Sequence, residues 1–325
     1  MKIVIPDDYQ NMVPQLACYS MLAGHDITVH QQPATSFEQL VERLKDAEII
    51  VAIRERVEFT RALIERLPKL RQIALVGRHA STIDYAACTE RGVAVTSGIT
   101  GSPVAPAEFT VALMMAARRN IVSEAVAMRA GAWPSTLSYR LRDSTLGIYG
   151  LGKIGELVAQ AGVGLGMKIL VWGREGSLAK AKQLGYQPAA SREDFFAQAD
   201  VLTLHVRLNA STHGVVTPVD LARMKPTSLL INTARAELIA PGALVAALKA
   251  GRPGYAAVDV YEQEPVVNGD HPLLKMPNVL CAPHLAWAEW ETFELYFGEC
   301  FEQIVKFCDG GELRLANPEV KPRRP

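Results

Sequence analysis

The stretch Thr145–Gly155, TLGIYGLGKIG, restricts what this chain can fold into more than any other. Leu146, Ile148 and Tyr149 have the pattern of a buried strand, and Gly150, Gly152 and Gly155 follow at the spacing G-x-G-x-x-G. The first glycine permits a tight turn, the second lets a pyrophosphate approach the backbone, and the third lets a helix lie close to the strand. Phosphates then meet unpaired N–H groups where the helix opens, at Lys153 and Ile154. Ile154, Leu157, Val158 and Ala161 recur as one buried helical face, and Gly164 offers a stop. Glycine-rich turns of this spacing also arise for packing alone. What argues for a dinucleotide site is the next strand, Lys168–Trp172, which completes a βαβ unit.

The 325 residues suit two domains, with 49% apolar residues to furnish both cores. Thirty-four acidic and 34 basic residues leave no formal net charge, so neither nucleic acid nor an anionic membrane is expected as a partner. Cys18, Cys88, Cys281, Cys300 and Cys308 are scattered, without metal-ligand spacing, and read as reduced structural thiols. No metal is expected. The chain opens on a strand pattern, MKIVIP, and no segment approaches the ~20 apolar residues of a membrane span. A cytoplasmic protein is expected.

Residues 1–99 alternate short apolar runs with helical patterns, which implies a parallel sheet covered by helices. Strands are expected at Lys2–Ile5, Asp26–Val29, Ile49–Ile53, Gln72–Val76 and Val93–Thr96, with Ser81 or Thr82 capping the helix after the fourth. GITGSPVAP (98–106) reads as a hinge into a helix from Ala107 to Met128, whose apolar residues cover more than one face. Such a helix is either deeply buried or shared with a partner subunit. Beyond the glycine unit, strands are expected at Val201–His205, Leu229–Asn232, Ala256–Val260 and Val279–Cys281, with a helix at Pro241–Ala250. A last helix, Trp287–Phe307, has no strand to feed and is expected to return to the first domain. The fold class is therefore α/β: two doubly wound parallel-sheet domains, residues 1–99 with 286–325 and residues 100–285.

Three stretches at expected strand ends carry ionisable residues that a packed sheet does not need: INTAR (231–235), DVYEQEP (259–265) and APHLAW (282–287). Strand ends of one open sheet face one crevice, so Arg235, Glu264 and His284 are expected to converge there. Arginine holds a carboxylate by two parallel hydrogen bonds, and histidine exchanges a hydroxyl proton. A carboxylate bonded to that histidine fixes its orientation and favours its protonated form. Taken singly, each residue also fits a bland role: a surface arginine at a helix start, a solvated loop acid, a satisfied buried histidine. Their joint occurrence carries the argument.

These motifs, together with RGVAV (91–95), Ala107–Glu108, LHVRLNAST (204–212) and MKPTSLLINTARAELI, resemble the D-isomer-specific 2-hydroxyacid dehydrogenases over nearly the full length. That group includes glyoxylate/hydroxypyruvate reductases, phosphoglycerate dehydrogenases and formate dehydrogenase; relatives that oxidise formate lack Ala286–Trp287. The resemblance implies a flavodoxin-like substrate domain, a Rossmann dinucleotide-binding domain and hydride transfer between a nicotinamide and a small 2-oxo acid. It implies that Arg235 binds the substrate carboxylate and carbonyl, that His284 is the general acid/base and that Glu264 is its partner. The backbone at Val76 and Gly77 is implied to help hold the carboxylate. Thr233, Ala234 and Asp259 fall at positions that contact the nicotinamide end, with His284 close by, and His205 and Thr212 lie near the rest of the dinucleotide. His205 also reads as a residue packed at a strand end, His79 as substrate contact or polar turn, and Trp287 as pocket wall or staple of the last helix.

Many NAD-using relatives have an acid after the second strand of the glycine unit, where this chain has Gly173 and Arg174. Glycine leaves room for the 2′-phosphate of NADP, Arg174 can pair with it, and Ser177 can add a hydroxyl. Glu175 opposes that phosphate, and Arg174 stacked on adenine would not discriminate. NADP is the expected cofactor over NAD. The long helix and the resemblance together imply a homodimer. A dinucleotide-sensing binding protein of corepressor type is the rival reading, because the fold does not decide function.

Overall fold

The computed structural model describes residues 1–78, 80–134 and 136–324. It divides into two units, Met1–Ser102 with Glu289–Pro325, and Pro103–Ala288. Both divisions fall three residues beyond the positions read from the sequence. His79 lies outside the described residues.

In the first unit, strands β1 (Lys2–Ile5), β2 (Asp26–Val29), β3 (Ile49–Ile53), β4 (Gln72–Val76) and β5 (Ala94–Thr96) form a parallel sheet in the order β2-β1-β3-β4-β5. Helices α1 (Phe37–Leu44), α2 (Arg61–Glu65) and α3 (Tyr85–Glu90) connect them. The cap of α3 is Asp84, whose carboxylate accepts the N–H of Ala87, rather than Ser81 or Thr82. It stands immediately before the first helical residue, where a cap must be. The last helix, Trp290–Cys308, belongs to this unit and buries Phe293, Phe297, Phe301 and Phe307, with Cys300 Sγ donating to Ala74 O in β4. It starts three residues later than expected because Glu289 caps it, accepting from Glu291 and Thr292 N–H.

The second unit opens with α4 (Val104–Arg118) and α5 (Ile121–Arg129) in place of one continuous helix. Asn120 adopts a left-handed conformation (φ 54°) between them, and its side-chain amide bonds Thr136 Oγ1 and Leu137 O. Asparagine enters that region more readily than most residues, so the break costs little. Seven parallel strands follow: β6 (Thr145–Tyr149), β7 (Lys168–Trp172), β8 (Gln187–Pro188), β9 (Val201–Leu204), β10 (Leu229–Asn232), β11 (Tyr255–Val258) and β12 (Val279–Cys281). Their order is β12-β11-β10-β9-β6-β7-β8, so the direction of winding reverses between β6 and β9. Open α/β sheets bind ligands at such a reversal, outside the carboxyl ends of the strands. Helices α6 (Lys153–Gly164), α7 (Glu175–Gln183), α8 (Arg192–Gln198), α9 (Pro218–Arg223) and α10 (Ala243–Lys249) make the connections. Alternate strand residues divide between two cores, Leu170, Leu202, Leu230 and Val258 on one face and Ile169, Val201, Ile231 and Ala257 on the other. The two-residue β8 was not legible in the sequence, since a dipeptide carries no periodicity.

Candidate active site

The glycine turn after β6 is built as its spacing requires. A Cβ on Gly155 would lie 2.3 Å from Gly150 O, and one on Gly150 (φ 95°) would lie 2.8 Å from Val206 Cγ1 and 2.9 Å from His205 O. These two glycines let α6 and the end of β9 close on the turn. Gly152 differs: nothing lies within 4 Å of its Cβ position, and as N-cap of α6 it leaves the first N–H groups without a side-chain cap. Open space over bare helical amides fits a pyrophosphate. Lys153 and Ile154 are the first two residues of that helix, Lys153 exposed and Ile154 packed against the core.

At the end of β7, Gly173 has φ 156°, and a Cβ there would meet Ser177 at 3.1 Å. Ser177 Oγ accepts the N–H of Leu151 at 3.2 Å, so the hydroxyl expected to serve a ligand also helps hold the glycine turn. Arg174, the exposed N-cap of α7, reaches the loop after β9, where Nη2 donates to Ser211 Oγ at 3.4 Å. Ser211 was not singled out from sequence. Its neighbour Thr212 was, but that hydroxyl donates to Arg207 O and accepts from Asn209 N–H within the same turn. His205 is bonded to Thr203 Oγ1 at 3.0 Å. Its residue surface is only partly covered, yet the ring sits among protein atoms, and desolvation pushes its pKa down to about 4. A neutral imidazole at the strand end follows at neutral pH.

The next three strand ends carry the polar constellation. After β10, Thr233 Oγ1 is 2.7 Å from Thr110 Oγ1 on α4, and Arg235 Nη1 donates to Ala234 O at 2.7 Å. After β11, Glu264 accepts at both oxygens: Oε1 from Tyr261 N–H at 2.9 Å, and Oε2 from His284 Nδ1 at 2.5 Å. Tyr261 Oη donates to Ala282 O at 3.0 Å, which ties the β11 loop to the β12 loop. His284 itself has φ 53°. Asp259, expected against a nicotinamide, is fully buried with its carboxylate accepting the N–H groups of Leu285 and Ala286, each at 2.8 Å. This commitment was invisible in sequence because the two partners lie more than twenty residues downstream. Trp287 is buried. Val76 and Gly77, in the other unit, end β4; Gly77 has φ 121° and a Cβ there would lie 3.0 Å from Arg54 Nη1.

Residues 111–286 match the NAD-binding domain of the D-isomer specific 2-hydroxyacid dehydrogenases. A glyoxylate reductase from Aeropyrum pernix is 35% identical over 301 residues, 89% of each chain. The chain belongs to this family. A D-3-phosphoglycerate dehydrogenase from Methanocaldococcus jannaschii is 35% identical over 278 residues; the match takes in 85% of this chain and 52% of that one, so this chain spans about half of its length. A phosphoglycerate oxidoreductase from Vibrio cholerae o395 has a crystal structure that superposes with a TM-score of 0.91, at 50% identity, covering 94% of this chain and 98% of that one. This family member is an oxidoreductase of the NAD(P)-dependent 2-hydroxyacid class. The corepressor-like reading is not favoured, since these relatives are named as enzymes. Among the described residues, no helix is long and apolar enough to cross a membrane.

Proposed function

We propose that Arg235, Glu264 and His284 carry out the reduction of small 2-oxo acids to D-2-hydroxy acids. The observation that carries this reading is the 2.5 Å contact between Glu264 Oε2 and His284 Nδ1, made beside a strand end that presents an arginine. When bound, the nicotinamide dinucleotide supplies the hydride. With Glu264 accepting, Nδ1 carries the proton of that bond, which leaves Nε2 to give a proton to the oxo oxygen as it becomes a hydroxyl. Arg235 binds the carboxylate and polarises the carbonyl, and by resemblance the Val76–Gly77 backbone also serves the carboxylate. Gly150, Gly152, Lys153, Ile154 and Gly155 hold the pyrophosphate, with Thr233 and Ala234 toward the nicotinamide end and His205 and Thr212 toward the remainder.

NADP is the preferred cofactor in this reading, because Gly173 removes the acid that would repel a 2′-phosphate and Arg174 stands exposed beside it. The active species is a homodimer in the cytoplasm. Five free cysteines suit a reducing compartment. Initial rates on glyoxylate, hydroxypyruvate, pyruvate and bulkier 2-oxo acids, with both cofactors, test the activity. His284→Ala should lose about 10²–10⁴-fold in kcat, the usual worth of a general acid/base. Arg235→Ala should raise KM as well as lower kcat. Near-normal turnover by a folded His284→Ala enzyme refutes the assignment.

A further inference from the structure

Two of the most deeply buried polar side chains in the second unit sit next to each other at the carboxyl ends of β10 and β11. Asn232 is 1% exposed and Asp259 is 0% exposed, and Asp259 N–H donates to Asn232 O at 3.0 Å. Each spends its side chain on a turn that leads to one of the residues assigned above. Asn232 Oδ1 accepts the N–H of Ala234 at 3.0 Å, and its Nδ2 donates to Arg235 O at 2.8 Å. Asp259 Oδ1 and Oδ2 accept the N–H groups of Leu285 and Ala286, directly after His284.

The second turn needs such an anchor. His284 stands at φ 53°, a conformation that L-residues occupy at a cost and that persists only where the surroundings dictate it. Glu264 fixes the imidazole, but a side-chain bond alone does not set the backbone from which the ring projects. Two amides clamped on one buried carboxylate do. Burial raises the Asp259 carboxyl above the usual carboxylate range, and the two N–H bonds act in the opposite sense.

We infer that Asn232 and Asp259 are positioning residues, one fixing the turn that presents Arg235 and the other the turn that presents His284. The inference rests on the catalytic reading of Arg235 and His284. A residue that merely satisfies buried hydrogen bonds would change stability when altered, without separating the kinetic constants. A positioning residue separates them, because a misplacement of ~1 Å can cost ~10²-fold in rate.

Asp259→Asn keeps the volume but turns one acceptor into an N–H donor that faces an N–H. It is expected to lower kcat about tenfold or more while KM for the oxo acid stays within about threefold. Asn232→Asp keeps the acceptor for Ala234 and loses the donor to Arg235 O; it is expected to raise that KM about tenfold with the smaller change in kcat. Hydrogen exchange on the wild-type enzyme is a second measurement that needs no variant to fold: the Leu285 and Ala286 amides should be strongly protected although Leu285 is exposed. Unprotected amides, unchanged kinetics in both variants, or losses without the split between kcat and KM overturn the proposal. Normal turnover in Arg235→Ala and His284→Ala would remove the reading beneath it. Normal turnover confined to the Asn232 and Asp259 variants would overturn the positioning alone.

Discussion

In the proposed reading, cofactor choice turns on a single guanidinium. Arg174 is exposed at the start of α7 and rests against Ser211, a neutral partner that a phosphate can displace or share. A charge-assisted hydrogen bond is worth about 1.5–3 kcal/mol, or roughly 10–150-fold in affinity. Arg174→Ala should therefore lower kcat/KM for NADPH by about that factor and leave NADH nearly unchanged. A wild type that already prefers NADH, or equal losses with both, would show that Arg174 does not read the phosphate. Glu264 and His284, which the structure brings into contact, stood out in sequence because each lies in a polar motif that follows an apolar strand pattern. The residues around them stood out less. Ser177 and Thr212 have the chemistry of ligand contacts, and both hydroxyls also bond within the protein, Ser177 Oγ accepting from Leu151 N–H and Thr212 Oγ1 donating to Arg207 O. Asn232 and Asp259 lay within the motifs, but their tasks depend on which amides the turns bring back to them, and spacing along the chain does not encode that.

At the scale of elements, the β6–α6 unit separates two jobs that the three-glycine spacing combines. Gly155 is needed for packing, since its Cβ would press on Gly150 O at 2.3 Å, whereas the Cβ position of Gly152 is open. Gly155→Ala should cost about 1–3 kcal/mol of stability as overpacking and weaken dinucleotide binding as well. Gly152→Ala should keep the wild-type Tm and lose only affinity, because its methyl stands where phosphate oxygens need to come. Calorimetry on both variants decides it; equal Tm losses would mean that the turn is uniformly tight. Strands were read well from sequence because β3 and β4 in one sheet, and β6, β7 and β10 in the other, are mostly apolar runs buried on both faces. Helix limits were read less well. The apolar run from Ala107 is interrupted at Arg118, Arg119 and Asn120 and resumes at Ile121, and the left-handed turn at Asn120 divides it into two helices.

For the whole molecule, the apolar residues that seemed too many for one helix fall into two groups. On α4, Leu113 and Met114 are buried in the unit's own core. On α5 and the segment after it they are not: α5 buries no residue, Trp133 is 81% exposed and Leu137 is 94% exposed, with Val126 and Met128 also in solvent. Exposed apolar side chains gathered in one stretch of chain suit an interface, and a second copy of the chain is the occupant proposed here. Light scattering at micromolar concentration should give a dimer mass, and Val126→Asp combined with Leu137→Asp should give a monomer that keeps the native circular dichroism. A monomeric wild type refutes the dimer.

The last helix has a consequence for the order in which the protein is made. It is synthesised after every strand of the second unit, yet its phenylalanines are buried in the unit that holds β1–β5. Until residues 290–308 emerge, β4 lacks the helix that packs on it, while every strand of the inserted unit has already been synthesised. Domains fold as units during synthesis, so the second unit has all its strands before the first has this helix. The first unit is thus begun before the second and receives its longest helix after it.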